Sequence, residues 1–226
     1  MHMLLIATLQ RCEAAGINAW QSHQRGTLLG IFRRLRAAGG KMVMLGLTGH
    51  EEDIKPMGQI DGLIAVAHHG ELTDRLFKAG KLDAIHDCLK RIRDAGLAVG
   101  VSTHMPAVVD AVESKGWDVD YYQTCVYERN RTEDELQKLL GHVPIPREVF
   151  LKDDPPRMFR AIQQTKKTCL AFKILAAGRR MDIEQAFKET FAAIKPHDAV
   201  IVGIYDRYSD QAAQNAAFAR RYSRPS

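Results

Sequence analysis

The 226-residue sequence has no CxxC pair, no glycine-rich GxGxxG loop, no HExxH and no low-complexity linker. It also lacks any run approaching the roughly 20 apolar residues of a membrane span, and no signal peptide is visible. Each absence removes a class. The four cysteines, Cys12, Cys88, Cys125 and Cys169, are widely spaced, so a disulfide framework is not expected, and Cys12, Cys88 and Cys169 read as small buried hydrophobes. Lysine plus arginine exceed aspartate plus glutamate by 32 to 27. The cations alternate with apolar positions along helical stretches (Arg33, Arg34, Arg36, Lys90, Arg91, Arg93) and are not interleaved with aromatics. That is the pattern of solvated helix faces, so neither nucleic acid nor membrane is expected as a partner; a small-molecule substrate is. Met1-His2-Met3 reads as an added start, so a preceding strand or leader is expected to be missing, and no compartment follows.

What is present is an alternation of short apolar runs and helical patterns. The run LAVGVST is bounded by Gly96, followed by a helix through Val108, Val109 and Val112, and then by the β-branched and aromatic run DVDYYQTCVY. This is a βαβ unit, whose strands are parallel. INAWQSH, KMVMLGLTGH, DGLIAVAHHG, TCLAFKILAAG and DAVIVGIYD are further strands, and an opening helix ends at Gly16. The chain is therefore expected to be a single (β/α)8-type TIM barrel of seven parallel strands, lacking the first strand, with a helical insertion at about 129–166 marked by Pro144, Pro146, Pro155 and Pro156. Two open sheet edges would follow, and a homodimer is the expected cover.

Side chains alternate along a strand, and large aliphatics are expected to face the surrounding helices. On that rule Val43, Leu45, Leu47, Val99, Val101, Leu170, Phe172 and Ile174 point outward. Met44, Gly46, Thr48, Ala98, Gly100, Ser102 and Lys173 then point inward, with Gln21, Gln123, Cys125, Tyr127 and Tyr205 toward the lumen or its C-terminal mouth. Four consecutive strands end in an inward histidine: His23, His50, His69 (or His68, should the parity shift by one) and His104. With Cys125 these form a candidate ligand set for a divalent metal, zinc or similar. Lys173, Glu128, Tyr127 and Tyr205 are the candidate catalytic groups, since a buried ammonium is paired or chemically used. Arg179 and Arg180, after the sixth strand, are placed to hold a phosphate or cofactor group.

Several segments resemble the aldo-keto reductase superfamily: EAAGINAWQS, KMVMLGLTG, IAVAHH, LAVGVST, DVDYYQ and DAVIVGIYDRYSDQAAQNA, with Asn215 at that family's asparagine. The resemblance implies a (β/α)8 barrel. It does not carry the activity, because Gln21 stands at the family's aspartate, Gln24, Arg25 and Gly26 at its tyrosine, and Leu47 at its lysine. NAD(P) is therefore not expected as a cofactor. The function expected from the residues is a metal-assisted hydrolase, lyase or isomerase, for example a glycosidase, acting on a small polar substrate such as a sugar or glycoside. The alternatives are a diverged oxidoreductase of the aldo-keto reductase kind and a non-catalytic binding barrel.

Overall fold

The computed structural model describes residues 2–22, 26–205 and 207–224. Helix α1 (His2–Ala14) leads to β1 (Ala19–Ser22), α2 (Gly26–Ala37), β2 (Val43–Thr48) and a short helix α3 (Ile54–Met57). Then come β3 (Leu63–His68), α4 (Gly70–Lys78), α5 (His86–Asp94), β4 (Ala98–Thr103), α6 (Pro106–Lys115) and β5 (Tyr121–Cys125). Helices α7 (Glu133–Leu140) and α8 (Asp154–Gln164) lie between β5 and β6 (Thr168–Phe172). The chain closes with α9 (Ile183–Ala193), β7 (Ala199–Ile201) and α10 (Gln211–Tyr222).

The strands form one parallel sheet in sequential order, β1 to β7, curled into a nearly closed barrel with helices alternating around it. Among the described residues β1 and β7 pair only with β2 and β6. The outer layer bridges this gap: Arg220 in α10 donates to the Ala15 carbonyl after α1 at 2.7 Å, and Leu9, Cys12 and Ala212 share a buried cluster with Ile31 and Leu35 of α2. Both edge strands are short, four and three residues, which limits the backbone they leave unpaired.

The main core is the layer between sheet and helices. Val99 and Val101 of β4 point into it as the alternation predicts, against Ile85, Leu89 and Ile92. On β2 and β6 the expectation is reversed. Met44, Cys169 and Ala171 are the fully buried helix-facing residues, whereas Leu45, Leu47 and Leu170 pack inside the barrel with Ala65, Ala67, Ala98 and the Tyr121 ring. Small residues on β3 and β4 explain the reversal, because they leave interior volume that large side chains of β2, β5 and β6 must fill at close-packed density. Gly100 is the tightest point: a Cβ there would lie 2.3 Å from Tyr121 Cζ.

The N-terminal end of the barrel is stapled by carboxylates on N–H groups in, or just before, the strands. Asp120 accepts from Val99 at 2.6 Å, Asp198 from Cys169 at 2.7 Å and Glu13 from Met42 at 2.9 Å. The C-terminal end instead carries histidines, arginines and irregular backbone. The predicted sixth strand stops at Phe172, since Lys173 (φ 58°), Ala176 (φ 49°) and Ala177 (φ 54°) adopt left-handed conformations that L-residues avoid. Three such residues within five positions store strain, which tends to gather at functional sites.

Candidate functional site

The C-terminal mouth is built around a buried Asp74–His104 pair. The helical period of α4 brings Gly70, Thr73 and Asp74 onto its buried face, so the carboxylate points at the end of β4 rather than at water. Asp74 is fully buried, and its oxygens accept from Thr103 Oγ1 at 2.5 Å, the His104 N–H at 3.0 Å, His104 Nδ1 at 2.8 Å and Asn130 Nδ2 at 2.6 Å. Four donors on one carboxylate satisfy the desolvated charge; the 2.8 Å contact to a carboxylate oxygen assigns the His104 proton to Nδ1, although Asn130 Nδ2 also lies 3.2 Å from that nitrogen. Nε2 has no hydrogen-bond partner among the described residues and is left as a base. The ring stands edge-on to Phe172 at 5.6 Å. Gly70 permits the approach of α4: a Cβ there would lie 2.9 Å from Ser102 Oγ and 3.3 Å from His104 Cε1. Asn130 is held over the pair by Lys78, which donates to its carbonyl at 2.6 Å and to Glu135 at 2.5 Å.

The other expected residues distribute as follows. His50 and His69 line one cleft of about 440 Å³ beside β2 and β3, together with Leu47, Asp53, Glu71 and Arg75. His50 is largely exposed, 3.8 Å from Glu52. His68 is buried on the helix-facing side, its Nδ1 2.7 Å from Thr73 Oγ1; burial, then the neighbouring His69, lowers its pKa to about 4. His23 lies outside the described residues. Cys125 is fully buried, and burial raises its thiol to about 12. Among the described residues no three His, Cys, Asp or Glu side chains converge to hold a metal ion. His104 also has only Nε2 to offer, so the described donors do not fit a divalent metal.

Lys173 follows the end of β6 and interacts electrostatically with the buried Cys125. The left-handed turn at its own φ lifts it to the mouth, 26% exposed, where its amine is 3.6 Å from Glu148 and 5.9 Å from the centre of the Phe150 ring. Desolvation, then the charge of Arg129, lowers its pKa. Arg129 pairs with the same Glu148 carboxylate, and Arg179 stands 3.9 Å from it while stacking on Phe150 at 4.3 Å. Tyr127 is buried edge-on to Phe150 at 5.2 Å, and burial raises its pKa. Arg180 is separate from Arg179, bound to Asp182 and Glu189 at 2.7 Å each. Glu128 is taken by Arg157 at 2.6 Å and Arg131 at 3.4 Å, a network that ties the β5–β6 connection down through Asp154. Tyr205 is 60% exposed and meets Tyr208. Of the expected set, the structure groups Lys173, Arg179 and Tyr127 around Glu148 and Phe150, and groups His104 with Asp74 and Asn130.

No family model and no curated protein matches the sequence. Among solved structures the chain is similar to a truncated form of 3-deoxy-D-arabino-heptulosonate 7-phosphate synthase from Thermotoga maritima. The TM-score is 0.61 at 11% identity, over 98% of this chain and 80% of that one. At that identity the likeness is one of fold, and the resemblance to aldo-keto reductases extends only to the barrel. No helix among the described residues is long and apolar enough to cross a membrane.

Proposed function

We propose that this chain is an enzyme that moves a proton at a small polar substrate, a sugar or glycoside, in a hydrolase, lyase or isomerase reaction at the C-terminal mouth of the barrel. The observation that supports it most is the Asp74–His104 pair: a fully buried carboxylate spends four hydrogen bonds on holding one imidazole with Nε2 unengaged. A positioned general base of this kind contributes about 10²- to 10⁴-fold to a rate. The C-terminal ends of the strands are where barrel enzymes carry their reacting groups, and the cleft of about 440 Å³ at the ends of β2 and β3, which His50 and His69 line and His104 does not, is large enough for a monosaccharide.

The test is a turnover screen over small sugars, glycosides and sugar acids, comparing wild type with His104→Asn. The asparagine amide can replace Nδ1–H toward Asp74 while removing Nε2, so folding should survive and turnover should fall about 100-fold or more. Equal turnover in the two proteins would reject the assignment. Zinc or a similar ion at unit stoichiometry in purified protein would support a metal-assisted form of this reading. An oxidoreductase related to aldo-keto reductases is the alternative, tested by titration with nicotinamide cofactor. The inward, apolar packing of Leu47, at the position of that family's lysine, weighs against it. A homodimer covering the open edges of β1 and β7 belongs to the same proposal, and sedimentation equilibrium tests it.

A further inference from the structure

Three cations share one carboxylate at the mouth. Arg129, Lys173 and Arg179 all turn toward Glu148, with Lys173 Nζ 3.6 Å and Arg179 Nη2 3.9 Å away. The other carboxylates of this region already have partners: Glu128 and Asp154 hold Arg131 and Arg157, and Asp182 and Glu189 hold Arg180. The cluster therefore keeps an excess of about two positive charges. Its members are also placed rather than loose. Phe150 lies under Arg179 at 4.3 Å, and Lys173 is aimed by a left-handed φ of 58°.

Arg129 shows what is missing. Its Nη2 is ion-paired with Glu148 Oε1, but neither its Nε nor that Oε1 has a hydrogen-bond partner, and both are buried. Nε–H and Nη2–H form one side of the guanidinium fork, the pair that binds an oxyanion through two parallel hydrogen bonds. Glu148 itself sits on the irregular stretch between α7 and α8, where a swing outward breaks no helix or strand.

We propose that Arg129, Lys173 and Arg179 form a binding site for an oxyanion, the phosphate or carboxylate group of a small ligand, and that Glu148 is its internal occupant, displaced when the ligand binds. This deepens the proposed function by naming an anionic substrate class and rests on it only for the word substrate; the site itself stands on the cluster.

The experiment is titration of inorganic phosphate, and separately of acetate, into phosphate-free protein, read by calorimetry and by amide chemical shifts. Glu148→Gln should bind phosphate about tenfold or more tighter than wild type, because a competing charge is removed and no cation is lost. Lys173→Met and Arg179→Ala, each in the Glu148→Gln background, should weaken it again. Binding of phosphate but not acetate assigns a phosphoryl ligand, and binding of acetate alone assigns a carboxylate. Glu148→Gln binding neither anion, or no tighter than wild type, would overturn the proposal. Should Glu148→Gln not fold, Arg179→Ala in the wild-type background must lose the phosphate-induced shifts at 173–179; their retention would equally overturn it. His104→Asn separates the two readings, since phosphate binding should persist there even if the proton-transfer role is wrong.

Discussion

Asp74 is where the account is most exposed to a stability measurement. Its side chain is fully buried and its oxygens accept four hydrogen bonds, from Thr103, Asn130 and both donors of His104. Asp74→Asn can keep three of them by placing its amide oxygen where Oδ2 lies and its NH2 toward Thr103, whose hydroxyl then accepts. What disappears is the charge. A hydrogen bond to a charged group is worth about 1.5–3 kcal/mol against about 0.5–1.5 for a neutral one, and the charge also costs desolvation that the variant no longer bears. The balance is a loss of about 2 kcal/mol, or roughly 4–8 °C in Tm for a chain of this size. Asp74→Ala strands the buried donors outright and should cost about 3–5 kcal/mol, a large part of an ordinary domain's total. Urea unfolding followed by circular dichroism measures both. If either variant unfolds within about 0.5 kcal/mol of wild type, the range of a neutral surface change, the network is not the fixed device described here.

Two further outcomes follow from the same geometry. The folded-state pKa of His68 is about 4, below the ordinary 6.5, so the unfolded chain takes up a proton that the folded chain refuses. Its contribution to stability is complete above pH 6.5 and is lost as pH falls toward 4, by up to about 3 kcal/mol; His68→Gln should unfold with a visibly flatter pH profile over that window, and an identical profile would refute the assignment. Gly70→Ala should displace His104, because its Cβ would stand 3.3 Å from Cε1 and 2.9 Å from Ser102 Oγ; the expected result is lost turnover together with about 1–3 kcal/mol of stability, whereas full turnover would show that the close approach does not matter.

Much of the barrel was legible because its strands are short apolar runs closed by glycine and its helices keep a clear period, from Gly16 through the final helix. His104 was found by strand parity on β4, where small and branched residues alternate cleanly. The same size rule failed on β2 and β6, where Leu45, Leu47 and Leu170 face the interior and side-chain size alone does not say which side has room. Room is set by Ala65, Ala67 and Gly100 on neighbouring strands, a tertiary property. Asp74 was missed because a carboxylate in an amphipathic helix reads as solvated. The available signal was its period, since Gly70, Thr73, Asp74 and Phe77 share the face turned to the sheet. Asn130, Arg129 and Glu148 sit outside regular elements, around the proline-rich stretch between β5 and β6, and nothing in their local sequence announces that they converge on His104 and Lys173.

The most direct test of the central claim needs no substrate. A long-range proton–nitrogen correlation spectrum of the histidine rings, assigned through His104→Asn, reports which nitrogen of His104 carries the proton. The account predicts the Nδ1–H tautomer in wild type above the imidazole titration range, with the Nδ1 proton slow to exchange because Asp74 accepts it in a fully buried position. An Nε2–H tautomer, or a rapidly exchanging mixture of the two, would contradict it and remove the base from the mouth of the barrel.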